Sequence, residues 1–360
     1  MNENEKGRHE PLFHIARRAE MPRLQAWGIR AAAVIAALIV SAVLITIIIG
    51  ENPLKVYESM IAGAFGTTRR IWNLLQALAM LLCVSLAVTP AFKMHFWNIG
   101  AEGQVLVGGL ATVAVMYYFG GKMPTPVLFI VMIAASILAG IIWAVIPAVF
   151  KAKWNTNETL FTLMMNYVAI QLVTFFINSW VTSGSGTLSP MHEYGFPEVG
   201  PNKYFLNIVI VALLTVVVYI YLRFSKQGYE IAVVGESEKT ARYIGINVRK
   251  VIIRTMILSG ALCGVAGLLL VGGTNHTIST ATAGGRGFTA IMVSWLAKFN
   301  PLTMVLTAFL IVFLQAGAQQ VVTDFNVNKS ISDIVTAIIL FFIIGCEFFI
   351  QYQIKRRERV

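Results

Sequence analysis

The stretch Phe96–Leu110, "FWNIGAEGQVLVGGL", sets Asn98, Glu102 and Gln104 among small residues at the mouth of an apolar run. Amides and a carboxylate so spaced can accept from backbone N–H groups, hold a polar solute or pin a neighbouring helix. Two further stretches share this character. "NTNETLFTLMMNYVAIQ" offers Asn157 or Thr156 as a helix cap and Glu158 in the first turn. Asn166 lies eight residues on, on the same helix face, with Gln171 and Asn178 beyond. "NHTISTATAGGRGFTAIMVSW" is hydroxyl-rich and broken by glycines around Arg286. Interrupted segments of that kind form binding or gating regions in transporters. Arg286 could pair with a carboxylate or meet headgroups. Chemistry on a substrate has no support: there is no GxxxxGK[ST], HExxH or GxSxG, and the five histidines are isolated. Catalytic and metal-ligating residues are therefore expected to be absent. Cys83, Cys263 and Cys346 are scattered and read as small buried hydrophobes.

The elements that position these groups must lie in lipid. Of 360 residues, 57% are hydrophobic and 12% charged, too little charge to cover a soluble domain of this length. Apolar runs recur from Ala31 almost to the C-terminus, several near the roughly 20 residues that cross a bilayer as helix. The expected fold is all-α: a polytopic helical bundle of about ten transmembrane helices. They fall near 31–50, 71–90, 98–119, 126–149, 158–180, 204–222, 252–272, 287–297, 301–320 and 331–351. The run at 287–297 is too short alone and reads as broken or re-entrant. With the N-terminus inside, 21 of the 28 Lys and Arg fall on the cytoplasmic side and 7 outside, which fits the positive-inside rule. Residues 1–30 and 352–360 read as cytoplasmic tails flanking one membrane domain, 31–351. The net charge of +11 follows this topology, and no nucleic-acid partner is expected. The first apolar run lacks a cleavage site and reads as a retained span.

Between Val105 and Phe119 only 15 apolar residues are available, about 22 Å of helix against roughly 30 Å of hydrocarbon. A spanning helix must therefore begin near Asn98 and take "NIGAEGQ" to membrane depth. Such a start is tolerated inside a bundle or beside a water-filled cavity. It is either part of a translocation path or an interfacial cap; the amides of the second stretch either bind neighbouring helices or line that path. The long inside loop 223–250 contains "ESEKTARYIG", a short helix with Ser237 as N-cap and Gly245 as C-terminal stop. It is too short to stand alone and must dock, on a partner subunit, on its own bundle or on headgroups.

These motifs resemble those of the permease subunits of bacterial ATP-binding-cassette importers, in the branched-chain amino acid, ribose and nucleoside group. "FWNIGAEGQVLVGGLAT" is similar to the family's "fNiGaEGQ" signature and "NETLFTLMMNYVA" to its "hEvl.tlMlNyia" segment. "GESEKTARYIGINVRK" looks like its cytoplasmic loop, and "GRGFTAIMVSWLAKFNP" lines up with "G.GfdaIavalLg..nP", with Thr289 where the family has Asp and a Trp at 295. The resemblance covers about residues 30–350 and is nearest to nucleoside and simple-sugar permeases. It implies a substrate path at Asn98, Gly100, Glu102, Gln104, Asn166, Gly287 and Phe288. It implies ATPase coupling through Gly235, Glu236, Ser237, Ala241, Gly245 and Ile246. It also implies a second permease (identical or homologous), a cytoplasmic ATPase that uses the ATP, an extracellular solute-binding lipoprotein and a place in the bacterial cytoplasmic membrane.

The expected function is import by alternating access of a small uncharged polar solute, a nucleoside or simple sugar. No cofactor is expected on this chain. An ion-coupled secondary transporter is the main alternative and would want charged groups deep in the spans. An integral membrane enzyme would want a nucleophile–base or metal set.

Overall fold

The computed structural model describes residues 13–18, 22–48, 50–181 and 188–356. Their elements are β1 (Phe13–Arg17), α1 (Arg23–Ile48), α2 (Pro53–Phe65), α3 (Thr68–Lys93), α4 (Ala101–Phe119), α5 (Thr125–Trp154), α6 (Glu158–Trp180), α7 (Phe205–Phe224), α8 (Lys226–Glu236), α9 (Glu238–Tyr243), α10 (Val248–Leu270), α11 (Arg286–Leu296), α12 (Pro301–Asp324), α13 (Lys329–Gln351) and β2 (Tyr352–Arg356). Seven stretches among the described residues are long and apolar enough to cross a bilayer: α3, α5, α6, α7, α10 with the turn that follows it, α12, and Asp333–Ile350 of α13. In α1 the apolar part is the shorter Ala31–Ile47. The polar first turn of α4 dilutes its hydropathy, and α11 has 11 residues.

The chain divides into two compact units. The smaller comprises the ends of the chain, up to Gly66 and from Leu314. In it, α1 packs on α13, and α2 lies against the C-terminal part of α12, where the Ser59 hydroxyl donates to the Asp324 carboxylate at 2.6 Å. The fold departs from the all-α expectation here. The alternating segments "FHIAR" and "YQIKR" pair as antiparallel strands β1 and β2, with Ile15 opposite Ile354. This pairing brings the start of α1 and the end of α13 to the same end of the unit. The basic residues Lys6, Arg8, Arg357 and Arg359 of the expected tails lie outside the described residues.

The larger unit, 67–313, is built on α3, α4, α5 and α10. α3 is buried on nearly all sides. α4, α5 and α10 approach each other backbone to backbone. A Cβ on Gly108 of α4 would lie 2.7 Å from the Gly264 Cα of α10, and one on Gly260 would lie 2.6 Å from Ala144 Cβ of α5. Where lipid supplies no hydrophobic drive between helices, such small-residue contact supplies the packing. Side-chain caps fix the helix starts. The Leu160 N–H donates to Asn157 Oδ1 at 3.2 Å, Gly228 N–H to Ser225 Oγ at 2.9 Å, and Lys250 N–H to Asn247 Oδ1 at 3.1 Å.

Candidate functional site

α4 begins at Ala101, three residues later than Asn98, so Asn98 does not cap it directly. Instead Asn98 Oδ1 accepts from the Gly100 N–H at 3.1 Å and closes the turn that leads into the helix. Its amide also pairs reciprocally with Gln104. Asn98 Nδ2 donates to Gln104 Oε1 at 3.4 Å, and Gln104 Nε2 returns a bond to Asn98 Oδ1 at 3.2 Å. Asn98 Nδ2 reaches Ser259 Oγ of α10 as well, at 3.2 Å. Both amides are buried, and each finds protein partners, as a buried amide must.

From α6, Asn166 clamps the same turn on both of its edges. Its Oδ1 accepts from the Gly103 N–H at 2.8 Å and its Nδ2 donates to the Ile99 carbonyl at 2.9 Å. Thr162 Oγ1, one turn earlier on α6, accepts from the Ile99 N–H at 3.2 Å. Gly100 and Gly103 let α6 come this close, since a Cβ on either would sit about as near as 3 Å to Thr162 or Asn166. Glu158 lies on this same buried face of α6, as expected, and its carboxylate pairs with Lys151 of α5 at 2.8 Å. Gln171 and Asn178 are exposed and stand apart from the cluster.

The third stretch joins at Glu102. After α10 the helix loosens into a π turn, Val271–Asn275, and the chain reverses at His276, whose backbone is left-handed with φ 54°. Residues 276–285 return without regular helix. Ile278 packs beside Gly109 of α4, and Gly285 and Gly287 arrive at Glu102, two turns of α4 away. Glu102 Oε1 accepts from the Gly285 N–H and Oε2 from the Gly287 N–H, both at 2.7 Å. The side chain is 7% exposed. A carboxylate of α4 thus satisfies orphan donors at the start of α11 and sits at the positive end of its dipole. A Cβ on Gly287 would collide with the Glu102 backbone. Arg286 donates to the carbonyls of Thr282 and Ala283, tightening its own loop.

Six of the seven expected path positions are therefore brought together in one buried hydrogen-bonded hub. The seventh, Phe288, is 45% exposed. It begins an outward α11 stripe continued by Met292 and by Trp295, which stacks on Trp97 with ring centroids 5.4 Å apart. Sequence reading missed Thr162 and Ser259 as hub members; Thr162 lies one turn from the suspected Asn166, whereas no expected path residue lies near Ser259 on α10. It missed a second cluster at the π turn altogether. There Thr274 Oγ1 accepts from Gln76 Nε2 of α3 at 2.7 Å and from Asn207 Nδ2 of α7 at 3.0 Å. The amide Gln76, at the start of the apolar part of α3, was the available signal.

At the opposite end of α10, α9 spans six residues and is closed as expected. Thr240 N–H donates to Ser237 Oγ at 3.2 Å, and Gly245 takes φ 84°. Ile246 N–H donates to the Ala241 carbonyl and Gly245 N–H to that of Arg242, a Schellman arrangement. Of the six expected coupling residues, Gly235 and Ala241 are buried inside the unit, whereas Glu236 and Gly245 are exposed. Tyr243 is 91% exposed, and Ile244 beside it is exposed as well.

Comparison with known proteins identifies the family. The family described as branched-chain amino acid transport system, permease component, matches residues 70–344. The guanosine transporter permease protein NupP of Bacillus subtilis is 30% identical, over 83% of this chain and 88% of its own length. The glucose transporter permease protein TsgB13 of Haloferax volcanii is 28% identical, over 94% and 92%. The nucleoside transporter permease protein NupB of Lactococcus lactis is 26% identical, over 88% and 90%. With a helical bundle that matches over its whole central part, the chain belongs to the branched-chain amino acid transport system permease family and is a permease subunit of an ATP-binding-cassette transporter.

Proposed function

We propose that this permease imports a small uncharged polar solute, a nucleoside or simple sugar, by alternating access. Ten crossings carry the movement: the seven long apolar helices together with α1, α4 and the segment that descends through 276–285 into α11. Both chain ends and α9 lie on the cytoplasmic side, and His276 lies outside. A second permease, identical or homologous, faces this one across the path. A cytoplasmic ATPase supplies the ATP hydrolysis, and an extracellular binding protein delivers the solute. The hub of Asn98, Gly100, Glu102, Gln104, Asn166 and Gly287 shapes the path wall, with Phe288 presented to the solute.

The observation that carries this reading is the shape of the 223–250 loop. Its apolar tip, Tyr243–Ile244, projects from a turn anchored inward by Ala241 and Gly235. A rigid base with an exposed apolar tip suits insertion into a partner's groove, so that motion of the partner reaches α10 directly. The solute class follows from the relatives, whose names cover guanosine, nucleosides and glucose.

The test is uptake into proteoliposomes holding the permease with its ATPase and binding protein. Radiolabelled guanosine or glucose should accumulate only with ATP inside the ATPase compartment. Accumulation without the ATPase that collapses with a protonophore would favour an ion-coupled carrier instead.

A further inference from the structure

The α10–α11 connection makes a broken crossing. The helix ends at a π turn, ten residues descend without helix alongside α4, and α11 then starts beside the first turn of α4, at Glu102. α11 is about 16 Å long, and its positive end meets the buried Glu102 carboxylate. In carriers with broken helices such a terminus receives the anionic part of a solute. Here it is already filled. Both oxygens of one carboxylate take one N–H each, and the side chain is buried.

We propose that Glu102 is the positioning and specificity-determining residue of this segment. Its carboxylate stands where a solute anion would bind, closes the half-helix terminus to carboxylate and phosphate solutes, and ties α11 to α4. The proposal rests on the permease reading above and deepens it. It supplies the reason that the path serves an uncharged solute, with no anion needed to complete α11. The geometry assigns the two bonds unequal partners. Gly285 is the last residue before the helix and has φ 74°, while Gly287 lies within the first turn.

The experiment uses the full transporter complex and reads two quantities, ATP-driven uptake and amide hydrogen exchange of the 284–290 segment. Glu102→Ala should lower uptake at least tenfold and speed exchange of that segment at least tenfold. Formate, added at rising concentration, should restore part of both by re-entering the vacated terminus; formamide should not. Glu102→Gln keeps the volume and one acceptor but sets an amide N–H₂ against the other backbone N–H, so it should also lower uptake and speed exchange and be insensitive to formate. Wild-type uptake and exchange in Glu102→Gln, or a loss in Glu102→Ala that formate does not touch, overturns the proposal. ATP-dependent uptake by the unmodified complex is the internal control. Its absence refutes the permease mechanism, whereas its presence alongside a failed rescue refutes only the role of Glu102.

Discussion

Asn166 and Glu102 do similar work with different chemistry, and their substitutions should separate accordingly. Asn166 uses both ends of its amide, accepting from Gly103 and donating to Ile99. Replacing it by alanine orphans two buried backbone groups, at about 1–3 kcal/mol each. Asn166→Asp keeps the acceptor for Gly103 but sets a buried carboxylate oxygen against the Ile99 carbonyl. We therefore expect the aspartate variant to lower the detergent-solubilised unfolding temperature at least as much as the alanine variant, and thermal unfolding followed by fluorescence checks that order. A wild-type unfolding temperature in the aspartate variant would mean that the Ile99 bond contributes nothing. Both residues were visible in the sequence as polar groups in greasy surroundings. Which partner each would find was not, because Asn166 and Gly103 are brought together by the packing of α6 on α4. Glu158 illustrates the limit: its periodicity placed it on the Asn166 face, yet the nearer cation on α5 claims it.

At the scale of elements, α9 and the loop over the π turn invite separate tests. α9 is about 9 Å long and depends on its caps. Ser237→Ala removes the acceptor for Thr240 N–H and should cost about 1 kcal/mol locally. Tyr243→Asp leaves that fold intact but places a charge on the exposed tip, so ATPase stimulation by solute-loaded binding protein should fall to the basal rate. Full stimulation in that variant would remove the docking role of the tip. At the far end of α10, His276 is half-buried, with His192 4.9 Å away ring to ring and Gly195 packed on its imidazole. Burial, then His192 and Lys203, lower its pKa from the usual 6.5, against an opposing pull from Glu198. Above pH 6.5 the group is neutral whether the loop is closed or open and contributes nothing. As the pH falls below 6.5 an open loop takes up a proton that the closed loop resists, so closure loses stability, in full below the depressed value. Protection factors of the 188–204 amides, which remove the pH dependence of intrinsic exchange, should fall on acidification from pH 7 to 5, and His276→Gln should flatten that response.

For the whole molecule the decisive quantity is which side each end of α10 faces. β1 and β2 put the start of α1 and the end of α13 at the same end of their unit. The native thiols Cys83, Cys263 and Cys346 are buried, so an impermeant maleimide reports an introduced cysteine. In right-side-out vesicles Glu198→Cys should label at once and Lys239→Cys only after permeabilisation. Labelling of both from outside would break the proposed topology.

The sequence by itself determined the solvent, the helical class, the caps of α6 and α9 and the family, because hydropathy, helix-cap chemistry and motif spacing are local properties written along one chain. Only the tertiary structure decided that the three polar stretches form one hub, that Glu102 completes another helix rather than its own, and that the chain ends pair as strands. Each of those is a contact between residues tens to hundreds of positions apart, and no periodicity in the chain encodes which donor a buried acceptor will meet.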